Sequence, residues 1–116
     1  MKYNGKCHCG AIAFEVDGEL SSVTECNCSI CSQSGYLHWM VDTSQVRMKT
    51  PLDQATLYVW GTRQARHWFC PKCGVAVLRN PRTDRSKYSV NVHCLEGIDP
   101  GKVKRNHFDG KNKLNV

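Results

Sequence analysis

Cys70-Pro71-Lys72-Cys73-Gly74, followed directly by Val75-Ala76-Val77-Leu78, is the stretch whose reading decides the fold. Two thiolates separated by two residues grip one ion from a tight turn whose backbone N–H groups point at the sulfurs. The glycine permits the left-handed or closely packed backbone that such a turn needs. Two buried free thiols are a poor reading, because the segment has turn chemistry and no apolar period. A redox dithiol expects the motif to open a helix. Here the residues that follow read as a strand, so the motif reads as a zinc knuckle.

A knuckle supplies two ligands, and structural zinc takes four. Working outward, the other cysteines are also clustered: Cys7 and Cys9 in Cys7-His8-Cys9-Gly10, then Cys26, Cys28 and Cys31 in Cys26-Asn27-Cys28-Ser29-Ile30-Cys31, with Cys94 alone. Neighbours one or two residues apart bridge each other poorly and hold one ion well. Pairing two with two closes a four-cysteine site between chain segments more than sixty residues apart, where metal energy most helps a small core. Three cysteines, Cys26, Cys28 and Cys31, are then left for a second zinc with an open fourth position, the feature that separates catalytic from structural zinc. The alternative is that Cys94 or a histidine closes that position and both sites are structural.

A chain of 116 residues has room for one domain, residues 1–116, around one core. Its 41% hydrophobic and 22% charged residues are globular values, which excludes a disordered or fibrous protein. Neither a leader-like apolar run at the start nor a stretch of membrane-spanning length is present, so the expected location is the cytoplasm, or else the nucleus. Thiols stay reduced there, and eight cysteines point to metal before disulfides. The net charge of +6 hints at an acidic partner, but seven thiolates contribute −7 and two Zn²⁺ contribute +4, which lowers it to +3. The remaining basic residues lie partly in a polar tail, residues 103–116, read as solvated and prone to fray. A nucleic-acid arm is disfavoured there because no aromatic residues are interleaved.

Ile12, Phe14 and Val16 alternate before the turn signal Asp17-Gly18, and residues 36–41, 56–60 and 88–92 also read as strands. Ser29 as a cap and Gly35 as a stop allow one helical turn at most. No segment sustains a helical period, and the result is a mainly β domain of short strands with little helix. Among the histidines, His8 sits between two ligands and should point away. His38, His67 and His93 lie on candidate strands, where satisfied structural roles are commoner, and His107 falls in the tail.

The pieces Gly5-Lys6-Cys7-His8-Cys9-Gly10, Phe14-Glu15-Val16, Cys26-Asn27-Cys28-Ser29-Ile30-Cys31, Gly61-Thr62 with Ala65, His67 and Phe69-Cys70, Pro81-Arg82, and Asn91-Val92-His93-Cys94-Leu95 together resemble one family. It is the glutathione-dependent formaldehyde-activating enzymes, which also contain the centromere protein V group; the match runs from residue 5 to about 97. The resemblance implies small coiled sheets and hairpins, a structural zinc on Cys7, Cys9, Cys70 and Cys73, and a functional zinc on Cys26, Cys28 and Cys31. It also implies carbon–sulfur lyase chemistry, the reversible joining of a thiol such as glutathione to a small aldehyde such as formaldehyde. His67 or His93 would then handle the product's proton. Arg63, Arg66, Arg79 and Arg82 are the nearest cations for glutathione's carboxylates, with surface solubility as the plainer role for each. The competing function is a non-catalytic zinc module that binds protein or chromatin.

Overall fold

The computed structural model describes residues 1–61, 63–82 and 84–113; Thr62 of the Gly61-Thr62 motif and residues 114–116 of the tail lie outside them. The strands are β1 (Lys2–Lys6), β2 (Ala13–Asp17), β3 (Ser22–Cys26), β4 (Leu37–Asp42), β5 (Val46–Met48), β6 (Thr56–Tyr58), β7 (Arg66–Phe69), β8 (Ala76–Asn80), β9 (Lys87–Asn91) and β10 (Lys104–Phe108). Two short helices, α1 (Ser29–Ser34) and α2 (Gly110–Lys113), and four 3₁₀ turns complete the described chain. The mainly β reading therefore holds.

The strands form a three-stranded sheet, β1-β2-β5, and a seven-stranded sheet ordered β10-β3-β4-β9-β8-β7-β6. Every pairing is antiparallel except β10 with β3. Side chains directly opposite one another in paired strands share a face. One face of the large sheet carries the row Trp68, Leu78, Val90 and Trp39, which the registers of β7, β8, β9 and β4 place side by side. This row is buried and belongs to one apolar core with Phe14, Val16 and Val23. Tyr3 of β1 meets Trp39 edge-on with ring centroids 5.6 Å apart, so the small sheet packs on this side. Phe14, Ile12, Leu37 and Leu78 are among the fully buried side chains, each contributing about 1.5–3 kcal/mol.

Two local readings are corrected. Cys28, not Ser29, is the residue at the N-cap of α1, whereas Gly35 does end the helix, in the left-handed conformation at φ 65°. The polar tail does not simply fray. Residues 104–108 form β10, which lies parallel to β3. Asn27 donates to Asp109 at 3.0 Å and accepts from the Lys111 backbone at 2.9 Å, securing the segment beyond it. Only Arg105 and no apolar residue of β10 is partly buried, so the strand lacks the alternation by which a sequence announces one.

Candidate metal centre

Two groups of sulfurs assemble from the three cysteine clusters. The Sγ atoms of Cys7, Cys9, Cys70 and Cys73 all lie within 4.8 Å of one another, as do those of Cys26, Cys28 and Cys31. The first group joins the turn between β1 and β2 to the turn between β7 and β8. The two turns use the same device: Gly10 N–H donates to the Cys7 carbonyl at 3.1 Å and Gly74 N–H to the Cys70 carbonyl at 2.8 Å. Both glycines have φ near +80°, at 82° and 81°. Backbone N–H groups also reach the sulfurs, from Ile12 to Cys7 and from Lys72 to Cys70, each at 3.3 Å. The Cys9 sulfur lies 3.7 Å from that of Cys7 and 3.6 Å from that of Cys70. Four thiolates around zinc at about 2.3 Å make a tetrahedron with edges of about 3.8 Å, so this donor set fits the metal.

The second group is held by the end of β3 and by α1. Cys26 is the last residue of β3, Cys28 caps α1, and Cys31 is the one buried residue within the helix. Gly35 N–H donates to the Cys31 carbonyl at 3.0 Å and closes the helix one turn later. Among the described residues no fourth ligand atom lies within 4.8 Å of all three sulfurs. Of the two alternatives for a closed site, Cys94 is buried elsewhere and donates to the Ala76 carbonyl at 3.4 Å, whereas one histidine, His38, approaches a single sulfur, that of Cys31.

The seven-stranded sheet supplies the surroundings. On its other face the registers place His67, Arg79, Ser89 and Met40 in one row across β7, β8, β9 and β4, directly behind the apolar row. In β4 the buried Leu37, Trp39 and Val41 point to the core, which turns His38 and Met40 toward this second face. His38 thus stands with Nε2 3.2 Å from the Cys31 sulfur and Nδ1 2.6 Å from Ser89 Oγ. Arg79 is 3% exposed, donates from Nη1 to the Cys31 sulfur at 3.4 Å and from Nη2 to Ser34 Oγ at 3.1 Å, and lays its guanidinium 3.7 Å from the centre of the Tyr36 ring. A cavity of about 290 Å³ opens over this face, with Cys26, Cys28, Cys31, His38, His67, Trp60, Arg79 and Arg82 in its walls. A second cavity, of about 380 Å³, reaches Cys26 and Cys31 from another side past Glu25, His93, Arg105 and His107. Neither cavity touches the four-sulfur group.

The electrostatics follow from burial and from the helix end. Burial drives the Cys31 thiol far up and also raises Cys26. Cys28 goes the other way: burial opposes ionisation, but the N–H groups of Cys31 and Ile30 at the start of α1, together with the neighbouring thiols, bring it below its ordinary value. His38 and His67 are both held down to about 3, first by burial and then by the positive charge of Arg79. Both rings are therefore neutral at pH 7.

The sequence's candidates sort cleanly on this face. His67 lines the first cavity, half-buried, with Nδ1 lacking a hydrogen-bond partner among the described residues and Trp60 packed edge-on at 4.5 Å. His93 is exposed and lines the second. His8 is exposed beside the four-sulfur group, and His107 faces Glu25 at 3.1 Å. Of the four arginines, Arg79 and Arg82 line the first cavity. Arg66 turns to the opposite face, 5.5 Å from the centre of the Trp68 ring, and Arg63 is an exposed loop residue at φ 59°. Residue-by-residue reading missed the contacts of His38 and Ser89. The available signal was the alternation of Leu37, Trp39 and Val41, which leaves His38 on the face away from the core.

A family model described as glutathione-dependent formaldehyde-activating enzyme matches residues 2–109, a span that includes all eight cysteines and β10. A crystal structure of a Rhodobacter sphaeroides protein is similar, with 36% identity, a TM-score of 0.79, and coverage of 89% of this chain and 99% of that one.

Proposed function

The chain belongs to the glutathione-dependent formaldehyde-activating enzyme family, and from that premise we propose that it is a zinc-dependent carbon–sulfur lyase, joining a thiol such as glutathione reversibly to a small aldehyde such as formaldehyde. The observation that carries this reading is the contrast between the two sulfur groups. Four sulfurs sit away from both cavities, where they suit a closed structural zinc, whereas the other three line the first cavity, Cys26 and Cys31 also line the second, and no fourth ligand atom among the described residues lies within 4.8 Å of all three. Cys7, Cys9, Cys70 and Cys73 would hold the structural ion, and Cys26, Cys28 and Cys31 the functional one. Zinc bound there supplies stabilisation of the thiolate form of an incoming thiol at neutral pH.

The chain's own residues account for the rest. In the forward direction the thiol sulfur bonds to the carbonyl carbon, the carbonyl π bond opens, and the proton lost by the thiol ends on the former carbonyl oxygen. His67 is the better placed of the two candidate proton carriers. Its ring is neutral, so one nitrogen donates and the other accepts, and it lines the cavity that all three sulfurs line. His93 lines the second cavity together with Cys26 and Cys31. Arg82 lines the first cavity, where its guanidinium puts a cation within the space a substrate carboxylate would enter, and the buried Arg79 donates to Cys31 and Ser34. Met40, Trp60 and Ile30 wall the same space and limit water beside the reacting atoms. The reading requires a reducing compartment such as the cytoplasm, where the cysteines remain thiols.

The test is titration of the cobalt-substituted protein with glutathione. An external thiolate entering the three-sulfur site changes the cobalt absorption, and adding formaldehyde should then accelerate formation of the hydroxymethyl thioether, seen by proton NMR. A protein that holds two metal ions and shows no spectral response to millimolar glutathione would overturn the assignment.

A further inference from the structure

Arg79 is a buried cation for which no carboxylate forms an ion pair among the described residues. Its neighbours are a thiol, a serine hydroxyl and the face of a tyrosine ring, and Nε has no partner among the described residues. A charge kept out of water without a counter-charge is strongly disfavoured, so a partner of opposite sign has to be sought within this pocket. The groups that can supply it are the sulfurs of Cys26, Cys28 and Cys31, one of which Arg79 already touches. Three thiolates carry −3, a divalent ion leaves −1, and one guanidinium brings the assembly to neutrality.

We propose that Arg79 is the positioning residue and internal counter-charge of the three-sulfur site, setting its metal affinity by balancing the one negative charge that three thiolates leave around a divalent ion. The inference rests on the reading that those three cysteines bind the metal. The surrounding contacts are arranged for this role. Ser34 Oγ, which donates to the Ile30 carbonyl at 2.7 Å inside α1, accepts from Nη2 and ties the guanidinium to the helix that carries Cys31. The Tyr36 ring fixes the guanidinium plane, and its hydroxyl donates to the Ser89 carbonyl on β9. Arg79 is therefore held from α1, β8 and β9 while reaching no bulk solvent. This differs from a carboxylate clamp, because its donors are turned to Cys31 and Ser34.

Zinc affinity of both sites is to be measured by competition with a chromophoric chelator in the wild type and in Arg79→Met, Arg79→Gln and Arg79→Lys, with cobalt spectra reporting on the three-sulfur site. Loss of the charge in the Met and Gln variants should weaken that site by about 10–100-fold, the usual size of an outer-shell effect, and leave the four-sulfur site unchanged. Lys, which keeps the charge but not the planar fork, should recover most of the affinity. The proposal is overturned if Gln binds as tightly as the wild type, if Lys falls as far as Met, or if both sites weaken together. Should Arg79→Met fail to fold, the Gln and Lys comparison decides. A wild type that binds one ion refutes the metal reading itself, whereas a wild type with two ions and an unaffected Gln variant refutes only the role of Arg79.

Discussion

Removing the N-terminal half of the four-sulfur group, with Cys7→Ser and Cys9→Ser together, should cost far more stability than removing one ligand of the three-sulfur group. Cys9 and Cys70 are 61 residues apart with their sulfurs at 3.6 Å, so an ion between them cross-links a long loop. Treated as a chain-entropy constraint, closing a loop of that length is worth about 4 kcal/mol, against a total stability of about 5–15 kcal/mol for a domain of this size. The double variant should melt roughly 17 °C lower or fail to fold. Cys26 and Cys31 are only five positions apart, which gives about 2 kcal/mol on the same scale. Cys28 also stands at the N-cap of α1 without a side-chain cap hydrogen bond, and serine is a favoured residue there, worth about 0.5–2 kcal/mol. Cys28→Ser should therefore stay folded, keep one zinc and lose the cobalt response to glutathione. Thermal melts by circular dichroism, paired with metal analysis, measure both variants. If Cys28→Ser melts as low as the double variant, the three-sulfur group is structural and the functional assignment fails.

Other consequences are equally direct. Cys94→Ser should retain both zinc ions and cost about 1 kcal/mol, because the hydroxyl can still donate to the Ala76 carbonyl; loss of one zinc would make Cys94 a ligand. Gly5→Ala should destabilise by about 1–3 kcal/mol in denaturant unfolding, since a Cβ there would lie 2.7 and 2.8 Å from two ring carbons of the fully buried Phe14; a neutral result would show that the ring can move. The ring nitrogens of His67 should keep neutral-imidazole NMR shifts at pH 5, and titration near 6.5 would contradict its burial and the influence of Arg79. Because its folded value lies below the unfolded one, the stability associated with neutral His67 is complete above about pH 6.5 and is lost as pH falls toward 3.

The cysteine groupings were legible because ligand spacing is a local property. Cys-x-Cys, Cys-x-Cys-x-x-Cys and Cys-x-x-Cys-Gly each bring their sulfurs together within one turn whatever the rest of the chain does, and Gly10, Gly35 and Gly74 mark those turns with positive φ. Short strands were legible where one face is apolar, as in β2 and β4. β10 was not, because an exposed edge strand needs no apolar alternation, and its partner β3 lies some eighty residues earlier. The same limit applies to the site. Arginine and histidine in the sequence could be named as candidates, but the row His67, Arg79, Ser89 and Met40 exists only through the registers of four strands. A slip of one residue in any of them would exchange that row for its apolar neighbour Trp68, Leu78, Val90 and Trp39. Long-range pairing thus decided which side chains surround the three sulfurs, and it turned Arg79 from a presumed surface cation into a buried one.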